Sequence, residues 1–385
     1  MKNGFSGPIV PRHRRGLAER KTGVKKTFLA VALAVAVSVA GVPAFAADAD
    51  STAPANSITI SLGTLDGLVR QYNTDALVLA KNLSIARAAY KDVKGDDDPT
   101  EEAARHQYDV AQATYESSMQ GIVMNARQAY LTCWHNVSLQ TAAKAQADRD
   151  AKLLATAAQQ LQSGYLSQKD YRTAADNATK SKQALETQTA VTSQAEQNLK
   201  AMFPVAQGVS VNILPPSDSD FDFSGVAKID YTPDKTKMLN ANAPIIQATL
   251  EYNYEKEEDD DYGLYTDSQV DAAKLAVDQA TQQQTAAFLD LYNTVTASYP
   301  SYQTEQQTVQ KKESDLQVDA AKLAAGYLSQ KDYDQESLDL TAAKNTLEND
   351  RNSLYLSYLK YAGMTNGYSY SAGSTAGSAA GSAAA

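Results

Sequence analysis

The string Gly-Tyr-Leu-Ser-Gln-Lys-Asp-Tyr occurs twice in this chain, at 164–171 and again at 326–333. Neighbouring positions keep the same 162-residue offset: Leu154, Ala158 and Leu161 map onto Leu316, Ala320 and Leu323, and Tyr130 onto Tyr292. A period this long describes two copies of a large unit rather than the short repeat of a solenoid. Whatever fold the first half adopts, the second half is expected to adopt it again.

The apolar pattern on either side of the octapeptide is helical. Ala147, Ala151, Leu154, Ala158 and Leu161 follow one another at steps of 4, 3, 4 and 3, the stripe of a helix that packs along its length. From Pro99 to Ser163 no proline intervenes and Gly121 alone is tolerable, which allows one helix of about 95 Å at 1.5 Å per residue. A second helix is expected from Lys169 to Met202, stopped by Phe203-Pro204. In the second unit the equivalents are 267–325, with a kink expected at Pro300, and 331–361. Gly164 and Gly326 suit a left-handed helix end. Ser167 and Ser329 suit an N-cap, and Asp170 and Asp332 suit the positive end of the next helix. The octapeptide therefore reads as a tight turn between antiparallel helices. It is either only that, or also a recognition surface. Retention of Tyr165, Leu166, Gln168, Lys169 and Tyr171, matched by Tyr327, Leu328, Gln330, Lys331 and Tyr333, exceeds what capping requires.

Charge and composition narrow the function. Thirty-five Lys and Arg against 45 Asp and Glu give a net charge of −10, which disfavours nucleic-acid binding because phosphate contacts need cations. The single cysteine, Cys133, rules out an intramolecular disulfide framework, and three histidines leave little for a metal centre. Cys133-Trp134-His135 reads as a buried thiol and an interfacial ring in preference to a thiol–imidazole catalytic pair. No nucleophile-elbow, phosphate-loop or zinc-protease motif occurs. Neither an enzyme nor a cofactor is expected.

Residues 1–46 have the layout of a secretory signal peptide. Lys25-Lys26 precedes an apolar run over 28–41, and Ala44-Phe45-Ala46 offers the small-x-small cleavage pattern; an uncleaved anchor helix is the alternative. The expected organisation is then a first helical repeat at 47–203, a Pro-rich crossover at 204–235 with a β-prone run at 209–213, a second repeat at 236–363, and a disordered Gly/Ala/Ser tail at 364–385.

Long helix, Gly-x5-Asp turn, returning helix and Pro-rich crossover, then the same again, resembles the TolC family of outer-membrane efflux proteins. The residues that carry the resemblance are Ser163 through Tyr171, Ala325 through Tyr333, the Ala/Gln/Leu-rich stretch 174–199, and Asn242-Ala243-Pro244, which is similar to the Asn-x-Pro motif opening each family repeat. Asn73-Thr74-Asp75 is a weaker counterpart. The resemblance covers most of residues 60–363 and implies a mainly all-α protomer of long antiparallel hairpins in two tandem repeats. It further implies a homotrimer that closes a twelve-helix α-barrel. The tips Gly164–Tyr171 and Gly326–Tyr333 would dock a periplasmic adaptor of an ABC or proton-driven inner-membrane pump.

One departure stands out. Where the family places membrane strands before each long helix, this chain has Asp96-Asp97-Asp98 in one unit and Glu258-Asp259-Asp260-Asp261 in the other. A membrane strand needs about 9–11 residues with one apolar side, so little or no β-barrel is expected. The acidic runs are expected to be solvated end loops. A cation site, or a ring of charge at a duct mouth, is the competing reading. An efflux or secretion duct without chemistry of its own is the first functional expectation, and a non-conducting coiled-coil envelope scaffold the second.

Overall fold

The computed structural model describes residues 57–95 and 99–370. The signal-peptide expectation and Asp96, Asp97 and Asp98 lie outside the described residues, as does the tail from 371 onward.

Eight helices and two short strands make up the described chain. Strand β1 (Ser57–Ile60) leads into α1 (Leu65–Tyr72), α2 (Thr74–Val93), α3 (Pro99–Gln162) and α4 (Gln168–Ala201). Strand β2 (Ser210–Ile213) and two short 3-10 turns follow, then α5 (Tyr231–Ala241), α6 (Ala243–Tyr262), α7 (Asp267–Ala324) and α8 (Gln330–Thr365). The order short, intermediate, very long and long thus occurs twice: helices of 8, 20, 64 and 34 residues, then of 11, 20, 58 and 36. At 1.5 Å per residue α3 spans about 96 Å. Helix α7 runs unbroken through Pro300, although the ring removes one helical hydrogen bond there.

Two and two, the shorter helices stack end to end against the long ones. Helix α4 covers the distal part of α3 and α2 the rest; α8 and α6 share α7 in the same way. The joints are held by backbone and amide contacts. The Asn73 side chain accepts from the amides of Asp75 and Ala76 at 3.0 and 3.1 Å, and so caps α2. Its own amide donates to the Met202 carbonyl at the end of α4, at 3.0 Å. At the second joint the Ala243 amide donates to the Gly367 carbonyl at 2.9 Å, and the preceding Asn242 is fully buried. Both asparagines singled out in the sequence open the helix that continues its neighbour's line.

The packing gives one layer in the order α2/α4, α3, α6/α8, α7, since α7 has no comparable packing against α2, α3 or α4. The core lies near mid-length of the long helices. One cluster gathers Ile58, Ile60, Leu65, Val69, Met119, Val123, Tyr130, Leu199 and Phe203; the other gathers Met238, Phe288, Val295, Leu354, Tyr361 and Met364. The Tyr130 hydroxyl donates to the Leu214 carbonyl at 2.7 Å, tying the crossover to α3. Strand β2 falls on the expected β-prone run and pairs in parallel with β1, Ser57 opposite Ser210 and Ile60 opposite Ile213. No closed barrel forms among the described residues, and no described helix is long and apolar enough to cross a membrane.

Two boundaries differ from expectation. Helix α8 continues to Thr365 with Met364 fully buried, and the Ser369 amide donates to Ser117 Oγ at 2.8 Å. The packed chain therefore runs on to Tyr370, which packs against the second core cluster before the Gly/Ala/Ser composition begins. The end of the crossover is helical as well: Asp230 caps α5, and Pro233 is tolerated in its first turn.

Candidate functional site: the hairpin tips and the strandless end

Each tip is built by the same few bonds. Gly164 and Gly326 take φ of 76° and 77°, a left-handed conformation that any side chain would strain. With the chain turned there, the Tyr165 amide reaches back to the Gln160 carbonyl at 2.8 Å, and the Tyr327 amide to the Lys322 carbonyl at 2.8 Å. Ser167 Oγ accepts from the Asp170 amide at 3.1 Å and donates to Asp170 Oδ2 at 2.7 Å. Ser329 and Asp332 repeat both bonds at the same lengths. These contacts use the glycines, serines and aspartates of the octapeptide.

Tyr165 and Tyr327 are 87% and 86% exposed, rings held in water by a rigid turn. Gln168, Lys169 and Lys331 are also exposed, while Leu166, Leu328, Tyr171 and Tyr333 are half-buried. Gln330 donates to Asp334 Oδ1 at 2.7 Å. The two tips adjoin: Leu166 and Asp170 of the first and Ser329 and Lys331 of the second line one groove of 1170 Å³, walled by α3 and α4.

At the other end the helices are joined by short connections. Five residues, 94–98, link α2 to α3, and four residues, 263–266, link α6 to α7. Gly263 caps α6 in the left-handed conformation, and Thr266 with Gln269 forms a capping box that starts α7. The expectation of an acidic loop at 258–261 is corrected here. Glu258, Asp259, Asp260 and Asp261 form the last turn of α6, and Glu258 is fully buried instead of solvated. Carboxylates oppose the helix dipole at a C-terminus; the turn persists because α6 packs on α3 and Gly263 closes it.

Sequence reasoning missed the polar seam between α3 and α6. Arg105 reaches Glu257 at 3.5 Å, and His106 bonds Glu251 at 2.8 Å while its ring stacks on Tyr254 at 4.4 Å. No local signal announces pairs about 150 residues apart. Cys133 is buried and its thiol is pushed up to about 11 by desolvation and by Glu196. His135 turns toward Glu348, 4.0 Å away, so the tripeptide supplies no thiolate–imidazole pair. Among the described residues no group of three His, Cys, Asp or Glu side chains converges to hold a metal.

No protein-family model and no curated protein matches the sequence. Solved structures do match in fold. The chain is similar to the CusC channel at TM-score 0.53 and 14% identity, over 80% of this chain and 95% of that one. It is similar to the CmeC outer membrane channel of Campylobacter jejuni at TM-score 0.55 and 12% identity, over 80% and 85%. The open state of the MtrE outer membrane channel of Neisseria gonorrhoeae matches at TM-score 0.54 and 12% identity, over 80% and 89%. The fold is that of TolC-like outer membrane channels.

Proposed function

We propose that this chain is a protomer of a TolC-like duct in the cell envelope. Three copies close a helical barrel, and the tips at Gly164–Tyr171 and Gly326–Tyr333 dock the adaptor of an inner-membrane pump. The observation that carries the reading is the pair of open edges on the helical layer. Helices α2 and α4 expose Leu77, Val78, Ile85 and Val191 on one edge; α7 exposes Leu275, Leu289 and Val318 on the other. Two different apolar edges on one layer suit head-to-tail packing, which closes into a ring when the rotation permits. Exposed tyrosines at a fixed turn suit a partner contact, since aromatic rings lose little conformational entropy on binding.

Export and envelope residence belong to the same reading and rest on the leader-like 1–46. A second reading, a non-conducting envelope spacer, is favoured by the strandless end, whose five- and four-residue connections have no room for membrane strand pairs. Deletion in the host, complemented by wild type or by the Tyr165→Ala/Tyr327→Ala double variant, separates the two. A duct predicts hypersensitivity to toxic amphiphiles, reversed by wild type and not by the tip variant. Unchanged sensitivity on deletion would favour the spacer.

A further inference from the structure

At the strandless end the first turns of α3 meet the last turns of α6, and ionisable side chains face each other across that seam. Two of the pairs, Arg105–Glu257 and His106–Glu251, join an acid to a base. The third differs in kind. Glu258 has no exposed surface, and neither of its carboxylate oxygens meets a hydrogen-bond donor. Across the seam the first turn of α3 carries a second carboxylate, Glu102, and it acts on Glu258. Two acceptors facing each other repel unless a proton lies between them, and a buried carboxylate without a partner is among the costliest groups a fold can hold.

We propose that Glu102 and Glu258 share one proton and form an acid-stabilised clasp that fastens α6 to α3 at the strandless end. The surroundings favour the shared proton. On α6, Glu257 and Asp261 add negative charge, and Tyr254 stands one turn back; Tyr265 contributes a phenol from the α6–α7 turn. From α3, Arg105 is engaged with Glu257 and His106 with Glu251. Helix α7 begins beside them with Asp267, Asp271 and Lys274 in its first turns. A second charge on the pair would arise in the last turn of a helix whose dipole already disfavours it.

Burial, with Glu102 opposite, pushes the Glu258 carboxyl up to about 7. That lies above its unfolded value of 4.5, so the folded state holds an extra proton between the two pH values. The clasp is complete below about pH 4.5 and is lost as the pH rises through about 7.

Hydrogen exchange of the full chain, read by mass spectrometry from pH 5.5 to 8.5 in chelator, tests this. After correction for intrinsic exchange, the opening constant of residues 250–262 should rise by up to about tenfold per pH unit, then level off above pH 7. The tip at 164–171 should show no such rise. Glu258→Gln gives Glu102 a permanent donor and should keep the seam closed at pH 8 with no pH dependence. A wild-type α6 end that opens equally at every pH would overturn the clasp, and that reading does not depend on a variant folding. Full pH dependence in Glu258→Gln would overturn it too. So would Ca²⁺ or Mg²⁺ that protects the wild-type seam at pH 8 but not the Gln variant's, since a cation would then hold the pair.

Discussion

Replacing Asn73 by Ala should unstitch the joint between α4 and α2. The side chain performs two tasks from one buried position: its oxygen accepts from the amides of Asp75 and Ala76, and its nitrogen donates to the Met202 carbonyl. Loss of an N-cap costs about 0.5–2 kcal/mol. A part-buried carbonyl left without its donor costs about 1–3 kcal/mol more. Asn73→Ala should therefore lose about 2–4 kcal/mol, read as a fall of about 1 M in the urea midpoint at unchanged slope. Asn73→Asp keeps the acceptor, places a negative charge at the favourable end of α2, and lacks the donor. It should lose about half as much. Equal losses for Ala and Asp would refute the capping part of the argument. A loss below about 0.5 kcal/mol for Asn73→Ala, the range of an ordinary surface change, would refute the joint altogether.

Gly164→Ala and Gly326→Ala should each cost about 1–2 kcal/mol by thermal unfolding, since both need the left-handed conformation although open space surrounds them. Phe288→Ala, at a fully buried ring stacked 4.8 Å from Tyr361, should cost about 3–5 kcal/mol; Leu275→Ala, on the exposed edge of the same helix, should stay within about 0.5 kcal/mol in the monomer. Tyr361→Phe removes the hydroxyl that donates to Asp234 at 2.9 Å and should lower stability at pH 7 by about 1.5–3 kcal/mol, measured by denaturant unfolding.

How far the sequence could be read follows from how local each signal is. The helix boundaries at 99, 162, 168 and 330 were legible within a residue or two because Pro99 and the glycine and serine of each tip announce them. Strand β2 was visible in its own β-prone run, but β1 was not, because four residues of Ser-Ile-Thr-Ile show their role only beside a partner 153 positions away. The acidic turn at 258–261 read as a loop since its charges oppose the helix end; packing on α3 and the cap at Gly263 outweigh them. The composition shift from Met364 looked like the start of a tail, yet Met364 is buried and Tyr370 packs against the second core cluster. For the tips, the sequence located both turns, and the fold adds that Leu166, Asp170, Ser329 and Lys331 line one groove. The α3–α6 seam joins residues far apart in the chain, so no pattern in either helix points to it.

The most direct test of the duct is the assembly of the chain purified from its host, by mass photometry and electron cryo-microscopy without detergent. The account predicts a trimer with an open axis about 95 Å long, the α7 edge of each copy against the α2/α4 edge of the next, dispersed by Leu275→Glu with Leu289→Glu. A monomer, or a solid bundle in which those edges stay exposed, would contradict it.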